Sequence, residues 1–167
     1  MSAVQRVLMV CTANICRSPT AEAVLRHRVQ QAGLHGRIVV DSAGTRASHE
    51  LSHAPDPRSI AHAARRGYDL TGLRSRPVVL ADFHRFDLIV PMDRTHLDHL
   101  AVHAPADAPA KVRLLMSFAP PGAGDVAARE HGARAAPVRC PRFRRVALTF
   151  ASMGGPTARR VAGFVSR

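Results

Sequence analysis

Apolar residues come in short runs that alternate with amphipathic stretches over most of the chain. Runs of this length, bounded by polar residues, are typical of buried parallel strands. Four segments fit the pattern, namely residues 6–10, 38–40, 86–90 and 112–116. We therefore expect a sheet of four strands.

The stretches between these runs carry helix signals. Ser18-Pro19 and Asp56-Pro57 each place a capping residue directly before a proline, which is a common way to begin a helix. Apolar residues follow each pair at helical spacing, and a glycine closes each stretch. A third, shorter helix is predicted directly after Asp93, so helices separate the strands along the chain.

This alternation predicts the fold class. Right-handed crossovers place the helices on both faces of a parallel sheet. We expect an α/β fold, a single domain built on a four-stranded parallel sheet. In such sheets ligands bind at the carboxyl ends of the strands. The loop after the first strand is therefore the place to look for a binding site.

Length and cysteine content narrow the class of protein. The 167 residues are 46% hydrophobic and 22% charged, as expected for one globular domain. Three cysteines are too few for a disulfide scaffold. No apolar run approaches the roughly 20 residues that span a bilayer. We expect a cytoplasmic protein without a membrane span.

The net charge of +12 is concentrated near the end of the chain. Residues 129–167 hold nine arginines and a single acidic residue. We divide the chain into a domain at 1–126 and an Arg-rich tail at 127–167, where apolar spacing over 143–151 predicts one helix. The tail has few aromatic residues and matches no recognition module. We expect no specific nucleic-acid partner and at most nonspecific, salt-sensitive binding.

The loop after the first predicted strand carries the candidate chemistry. It reads Cys11, Thr12, Ala13, Asn14, Ile15, Cys16, Arg17 and Ser18. A loop of this length entering a helix directs consecutive N–H groups inward and forms a cradle for a tetrahedral oxyanion. Arg17 can bind two phosphate oxygens, and the same positive field favours the Cys11 thiolate, to which Ser18 can donate. Asn14 suits the left-handed conformation that a tight cradle requires.

Other histidine-containing motifs point to no second site. Residues 49–53 match the His-Glu-x-x-His zinc pattern but show no apolar face, so we predict a loop and no metal site. In that loop His49 or Leu51 can line the wall of the cradle and contact an aromatic substrate. His96 and His99 are interpreted as the solvated face of the short helix.

Residues 10–19 resemble the active-site loop of the low-molecular-weight protein tyrosine phosphatases, in their bacterial branch. The likeness covers roughly residues 5–126. It continues through Ser42-Ala43-Gly44-Thr45, Asp56-Pro57-Arg58, Met92-Asp93-Arg94 and residues 112–120.

The resemblance implies a phosphate monoester hydrolase that needs neither metal nor cofactor. Cys11 would form a cysteinyl-phosphate and Arg17 would bind the phosphate. Asn14 and Ser42 would brace the loop, and Ser18 would assist the thiolate. The substrate would be a phosphotyrosine protein, with a bacterial tyrosine kinase as a possible partner.

The resemblance also gives Cys16 two interpretations. It is similar to the second loop cysteine of the family, which forms a reversible disulfide with the nucleophile. It is equally well interpreted as a small residue buried at the start of a helix.

The chain departs from the family where a general acid is expected. The family carries that acid in an Asp-Pro pair after the fourth strand, and here Ala128 occupies its position. Asp125 is the nearest candidate to replace it, with Glu130 as a weaker one. Two alternatives follow: a phosphate- or phosphotyrosine-binding protein with weak catalysis, and an arsenate reductase. The reductase would need a relay of cysteines, for which Cys140 is poorly placed.

Overall fold

The computed structural model of the protein describes residues 4–118. In this part of the chain four strands alternate with helices. The elements are β1 (Gln5–Cys11), α1 (Arg17–Gln31), β2 (Ile38–Gly44), α2 (Pro57–Ala64), α3 (Asp82–Arg85), β3 (Leu88–Pro91), α4 (Arg94–His103), β4 (Lys111–Val112) and a 3₁₀ turn (Leu115–Phe118). The helix predicted over 143–151, the tail and the proposed boundary at residue 126 lie outside the described residues.

The strands form one parallel sheet in the order β2-β1-β3-β4. The predicted α/β architecture is therefore confirmed. The chain leaves β1 to one side for β2 and then returns to the other side for β3. The carboxyl ends of β1 and β3 consequently form a topological switch point, where ligands of such sheets bind.

The two faces of the sheet bury alternate residues of β1. Val7 and Met9 pack with α1, whereas Leu8 and Val10 pack with α3 and α4 on the opposite face. Helices therefore cover both faces, as predicted. Complete burial of such a side chain is worth about 1.5–3 kcal/mol. Because α1 is held in this way, the loop between β1 and α1 has two fixed ends.

Helix α1 begins earlier than predicted. It starts at Arg17, and the Ser18 side chain does not cap it. The physical reason is that Ser18 turns its hydroxyl toward Cys11 instead. The predicted cap at Asp56 is confirmed, since Asp56 accepts from the backbone N–H of Arg58. The structure adds a cap that was not predicted, at Asp93, which accepts from the backbone N–H of His96.

The last predicted strand is much shorter than expected. Residues 112–116 do not form a strand, because β4 ends at Val112 and Leu115 already lies in the 3₁₀ turn. Val112 packs on the face of α3 and α4, whereas the fully buried Leu115 packs on the face of α1. The chain must leave the plane of the sheet to make that crossing, and this ends the strand.

Two further differences concern single elements. Strand β2 continues to Gly44 rather than ending at Val40, so Ser42 belongs to the strand. The one-turn helix α3 was not predicted from the sequence. Among the described residues, no helix has the length and apolar character needed to cross a membrane.

Candidate active site

The loop from Cys11 to Ser18 lies at the switch point, between the end of β1 and the first turn of α1. Neighbouring segments hold three of its carbonyl oxygens. Those of Cys11, Thr12 and Ile15 accept from the N–H groups of Thr45, Arg46 and Asp56 at 2.9, 2.8 and 2.8 Å. A trans peptide points its N–H away from its carbonyl oxygen. Outward carbonyls therefore direct the following N–H groups toward the interior of the loop, as an anion cradle requires.

Asn14 forms the bend of the loop. It has a φ of 54° and is the one residue other than glycine with a positive φ in the described part of the chain. Its amide nitrogen donates to Ser18 Oγ at 2.9 Å and to Ser42 Oγ at 2.8 Å. Its oxygen accepts from the backbone N–H of Arg76 at 2.9 Å. Three hydrogen bonds thus hold a conformation that costs energy in isolation.

Cys11 is buried at the end of β1, and its sulfur lies 3.0 Å from Ser18 Oγ. Because Asn14 donates to the Ser18 oxygen, the hydroxyl proton is free to point either at the sulfur or at the carbonyl oxygen of Ala43, 3.3 Å away. A thiolate is the stronger acceptor of the two. The arrangement therefore supplies a donor to an ionised Cys11.

A buried carboxylate, that of Glu22, is joined to this hydrogen-bond network through Ser42. Ser42 Oγ donates to Glu22 Oε2 at 2.5 Å, and Glu22 Oε1 lies 2.6 Å from Nη2 of Arg26. Burial raises the pKa of Glu22, while the bonds from Ser42 and Arg26 act against that rise. Bonds therefore run without a break from Arg26 at the surface to Asn14. The sequence analysis did not identify Glu22, although a lone acid among the apolar residues of α1 is a recognisable signal.

Arg17 lies at the first position of α1 with its guanidinium at the rim of the loop. Its Nη1 donates to Asp93 Oδ2 at 2.7 Å, and its Nη2 donates to Thr12 Oγ1 at 3.3 Å. Asp93 follows β3 and caps α4, so the switch point brings these residues together. Asp93 and Thr12 hold the guanidinium beside the cradle.

His96 is part of the same site, so its interpretation as a solvated residue is wrong. Its side chain is 3% exposed, and Nε2 lies 2.8 Å from Thr12 Oγ1. The cap at Asp93 directs the first turn of α4 inward, and this buries His96. His99, one turn later on α4, is half-buried.

Gly44 permits the close approach of β2 to the loop. A Cβ atom at this position would lie 2.5 Å from the carbonyl oxygen of Thr12 and 3.0 Å from the carbonyl carbon of Ala13. Real Cβ atoms do not approach backbone so closely. A side chain at residue 44 would therefore displace the loop.

Cys16 differs from Cys11 in its surroundings. Burial raises the pKa of the Cys16 thiol, and a hydrogen bond with Ser59 partly opposes that effect. Both cysteines are free in the structure. A disulfide between them stays a prediction.

The segment between Arg46 and Asp56 begins and ends on the loop, since both residues bond to its carbonyl oxygens. The segment is not helical, as predicted, and His49 and Leu51 within it are exposed. The described residues contain no group of three or more His, Cys, Asp or Glu side chains that could hold a metal ion.

The structure therefore brings together the predicted site residues that it describes. These are Cys11, Thr12, Ala13, Asn14, Ile15, Cys16, Arg17, Ser18 and Ser42. Asp125, the candidate general acid, lies outside the described residues, as do Ala128, Glu130 and Cys140.

Comparison with protein families and curated sequences gives a consistent result. The model of the family described as low molecular weight phosphotyrosine protein phosphatase matches residues 6–136. A low molecular weight protein-tyrosine-phosphatase of Streptomyces coelicolor is 49% identical over 120 residues, covering 71% of this chain and 72% of that protein. A low molecular weight phosphotyrosine protein phosphatase of Schizosaccharomyces pombe is 40% identical over 122 residues, covering 72% and 77%.

Solved structures agree. A protein tyrosine phosphatase from Entamoeba histolytica, crystallised with Hepes in its active site, matches with a TM-score of 0.74 and 32% identity over 87% of this chain and 89% of that one. A low molecular weight phosphotyrosine phosphatase from Vibrio cholerae matches with a TM-score of 0.75 and 31% identity over 96% of each chain. The chain belongs to the low molecular weight phosphotyrosine protein phosphatase family.

Proposed function

We propose that the protein hydrolyses phosphotyrosine through a cysteinyl-phosphate on Cys11. One observation carries the proposal: the Cys11 sulfur lies 3.0 Å from a hydroxyl donor, Ser18, in a loop whose carbonyl oxygens are bonded to outside segments. A nucleophile inside a preorganised anion cradle is the arrangement that phosphoryl transfer requires, because catalysis there is mostly positioning and charge stabilisation.

In the first step the Cys11 thiolate attacks phosphorus. An S–P bond forms while the bond from phosphorus to the tyrosine oxygen breaks, and its electron pair stays on that oxygen, which takes up a proton. Arg17 and the inward N–H groups bind the three equatorial oxygens. Ser18 holds the thiolate before the attack.

In the second step a water molecule attacks the same phosphorus. The S–P bond breaks and its electron pair returns to Cys11, so the thiolate is restored and inorganic phosphate leaves. The water gives up a proton to a base. Asp125 is our candidate for a weak acid in the first step and a weak base in the second, in place of the missing Asp-Pro acid.

The surroundings of the loop support a phosphotyrosine protein as the substrate class. Leu51, whose surface is 61% exposed, lies in the segment that begins and ends on the loop. An apolar side chain there can pack on an aromatic ring. A bacterial tyrosine kinase that accumulates phosphotyrosine is the partner we expect, in the cytoplasm, where Cys11 stays reduced.

The two alternatives receive less support. A binding protein would need the cradle but not a sulfur placed against a hydroxyl donor. An arsenate reductase would need further cysteines near Cys11, and Cys16 is the other cysteine among the described residues.

The proposal is tested by measuring inorganic phosphate release from 4-nitrophenyl phosphate and from a phosphotyrosine peptide. We expect turnover by the unmodified chain, much slower on the peptide than on 4-nitrophenyl phosphate, none by Cys11→Ser, and nearly full turnover by Cys16→Ser, the matched control. Vanadate should inhibit competitively. Phosphate binding without turnover would establish a binding protein, and arsenate-dependent thiol oxidation would establish a reductase.

Rapid alkylation gives a second test of the nucleophile. We expect iodoacetate to inactivate the protein quickly near pH 6 and phosphate to protect it, because the cradle favours the Cys11 thiolate. Alkylation at the rate of a free thiol would contradict the proposed cradle.

A further inference from the structure

Four side chains close a ring beside the phosphate loop. Arg17 Nη1 donates to Asp93 Oδ2 at 2.7 Å, and Arg17 Nη2 donates to Thr12 Oγ1 at 3.3 Å. On the other side, His96 Nε2 lies 2.8 Å from Thr12 Oγ1 and Nδ1 lies 2.8 Å from Asp93 Oδ1. Arg17 and His96 therefore share the same two partners.

The chemistry of the ring fixes the direction of its bonds. Nδ1 is out of line for a hydrogen bond, but it faces a carboxylate oxygen, so a proton there is attracted and a bare lone pair would be repelled. With the proton on Nδ1, Nε2 is an acceptor and the Thr12 hydroxyl donates to it. The lone pairs of Thr12 Oγ1 are then left to face Arg17.

The imidazole is neutral near pH 7. Burial is the main cause that lowers the pKa of His96 to about 4, with Arg17 and His99 acting in the same direction and Asp93 against it. Among the described residues, these three groups are the charged or titratable side chains whose electrostatic effect on the imidazole is resolved. A neutral imidazole is the form that can accept from Thr12.

We propose that His96 is a positioning residue that, by accepting from the Thr12 hydroxyl, orients the oxygen that holds the Arg17 guanidinium beside the cradle. The inference rests on the proposed function, because it assigns a role in aiming the phosphate-binding arginine. Without His96 the hydroxyl of Thr12 rotates, its proton can face Arg17, and the bond that Thr12 accepts from the guanidinium is lost.

Substitutions that keep one ring nitrogen at a time test the proposal. Gln places an amide oxygen near the position of Nε2 and can accept from Thr12, whereas Asn reaches only the position of Nδ1. We expect His96→Asn to lower kcat on 4-nitrophenyl phosphate about tenfold with little change in KM. We expect His96→Gln to stay within about threefold of the unmodified enzyme.

Substitutions at Thr12, the partner of His96, complete a double-mutant cycle. Thr12→Val should lower kcat as His96→Asn does, and Thr12→Ser, which keeps the hydroxyl, should restore it. The double variant with both losses should be no slower than either single one, because both remove the same interaction. His99→Gln, on the same helix, is the control and should leave kcat unchanged.

Two measurements test the inference without turnover. The dissociation constant for vanadate should rise about tenfold in His96→Asn and Thr12→Val and recover in His96→Gln and Thr12→Ser. Nitrogen-15 shifts of His96 at pH 7 should show a protonated Nδ1 and a bare Nε2.

The outcomes separate the inference from the proposed function. If the chain shows no Cys11-dependent hydrolysis, the function fails while vanadate binding and the tautomer still decide the inference. A proton on Nε2 at pH 7, or equal vanadate binding by His96→Asn and His96→Gln, overturns the role of His96. Loss of activity in both of those variants equally would show a purely structural role and overturn it as well.

Discussion

Oδ2 of Asp93 lies 2.7 Å from Nη1 of Arg17, with the two side chains 11% and 18% exposed. The carboxylate therefore holds the arginine that we propose binds phosphate, and it does so while capping α4 through its other oxygen, 3.1 Å from the N–H of His96. Asp93 therefore fixes both the N-terminus of α4 and the orientation of the Arg17 guanidinium.

The two duties of Asp93 can be separated by substitution. Asn keeps a side-chain oxygen for the cap but loses the charge, so we expect Asp93→Asn to retain nearly full stability and to lower kcat/KM about tenfold. Asp93→Ala loses the cap as well and should unfold with about 1 kcal/mol less free energy. Thermal melts and steady-state kinetics of both variants check this. Unchanged kcat/KM in Asp93→Asn would show that Arg17 needs no carboxylate.

Replacing Arg17 by Lys is expected to be severe. A lysine ammonium supplies charge but lacks the planar fork that binds two equatorial oxygens and also meets Asp93. Because the contact strengthens in the transition state, we expect Arg17→Lys to lower kcat by more than it raises KM. Steady-state kinetics on 4-nitrophenyl phosphate measure the split. A rise in KM alone would make Arg17 a ground-state anchor.

The sequence predicted the loop well because its chemistry is local. Cys11, Arg17 and Ser18 are close in the chain, and a strand before and a helix after them settle their placement. Even the unusual conformation of Asn14 follows from a residue type that tolerates positive φ.

The supporting residues were missed because their roles depend on packing between distant elements. His96 looks like any histidine on a short polar helix until the cap at Asp93 turns it toward Thr12, 84 residues away. Glu22 meets Ser42 only because β2 lies beside β1. Periodicity alone cannot show that a polar residue is buried. The same limit explains Leu115, whose burial ends the last strand early.

Gly44 should not tolerate even a methyl group. A Cβ atom there would lie 2.5 Å from the Thr12 carbonyl oxygen. The backbone at Gly44 and at Thr12 would have to shift to relieve this contact. We expect Gly44→Ala to lower the free energy of unfolding by about 1–3 kcal/mol and to reduce phosphate affinity, because the loop shifts. Gly36→Ala is the matched control, since nothing lies within 4 Å of its Cβ. Denaturant unfolding of both variants decides, and equal losses would contradict the close approach.

Stability should depend on pH through His96. Its pKa falls from 6.5 to about 4 on folding, so between these values the unfolded chain binds more protons. The free energy of unfolding should therefore rise with pH across this window, with a penalty of about 3 kcal/mol fully present below pH 4 and absent above pH 6.5.

The His96→Gln variant isolates this contribution. Glu22, whose pKa burial raises, gives a slope of opposite sign above pH 4.5, and it contributes equally to both proteins. The difference in free energy of unfolding between the unmodified chain and His96→Gln should therefore rise with pH through His96 alone. Denaturant unfolding at pH 7, 6, 5 and 4 measures it. A constant difference over that range would show that the imidazole keeps its ordinary pKa.

The last prediction concerns the general acid that protonates the leaving group. Breaking the P–O bond leaves a negative oxygen on the departing group, and protonation by an acid is worth about 10²–10⁴-fold for a basic leaving group. From the resemblance of the sequence to the family, we expect that acid at the position of Ala128. We expect clear hydrolysis of activated nitrophenyl esters, poor hydrolysis of phosphotyrosine, and a steep fall of kcat as the basicity of the leaving group increases. The alkaline limb of kcat that reports a protonated acid should be missing.

A series of aryl phosphates with leaving groups of increasing basicity measures that slope. Asp125→Asn tests the carboxylate that we expect to replace the missing acid, and Glu130→Gln is its control. If Asp125 gives partial help, its removal steepens the slope while leaving the most activated ester unaffected, because a weakly basic oxygen needs no proton in the transition state. A flat dependence that Asp125→Asn abolishes would instead show that Asp125 serves as a full general acid despite the missing Asp-Pro pair, and the expected loss of acid catalysis would be wrong.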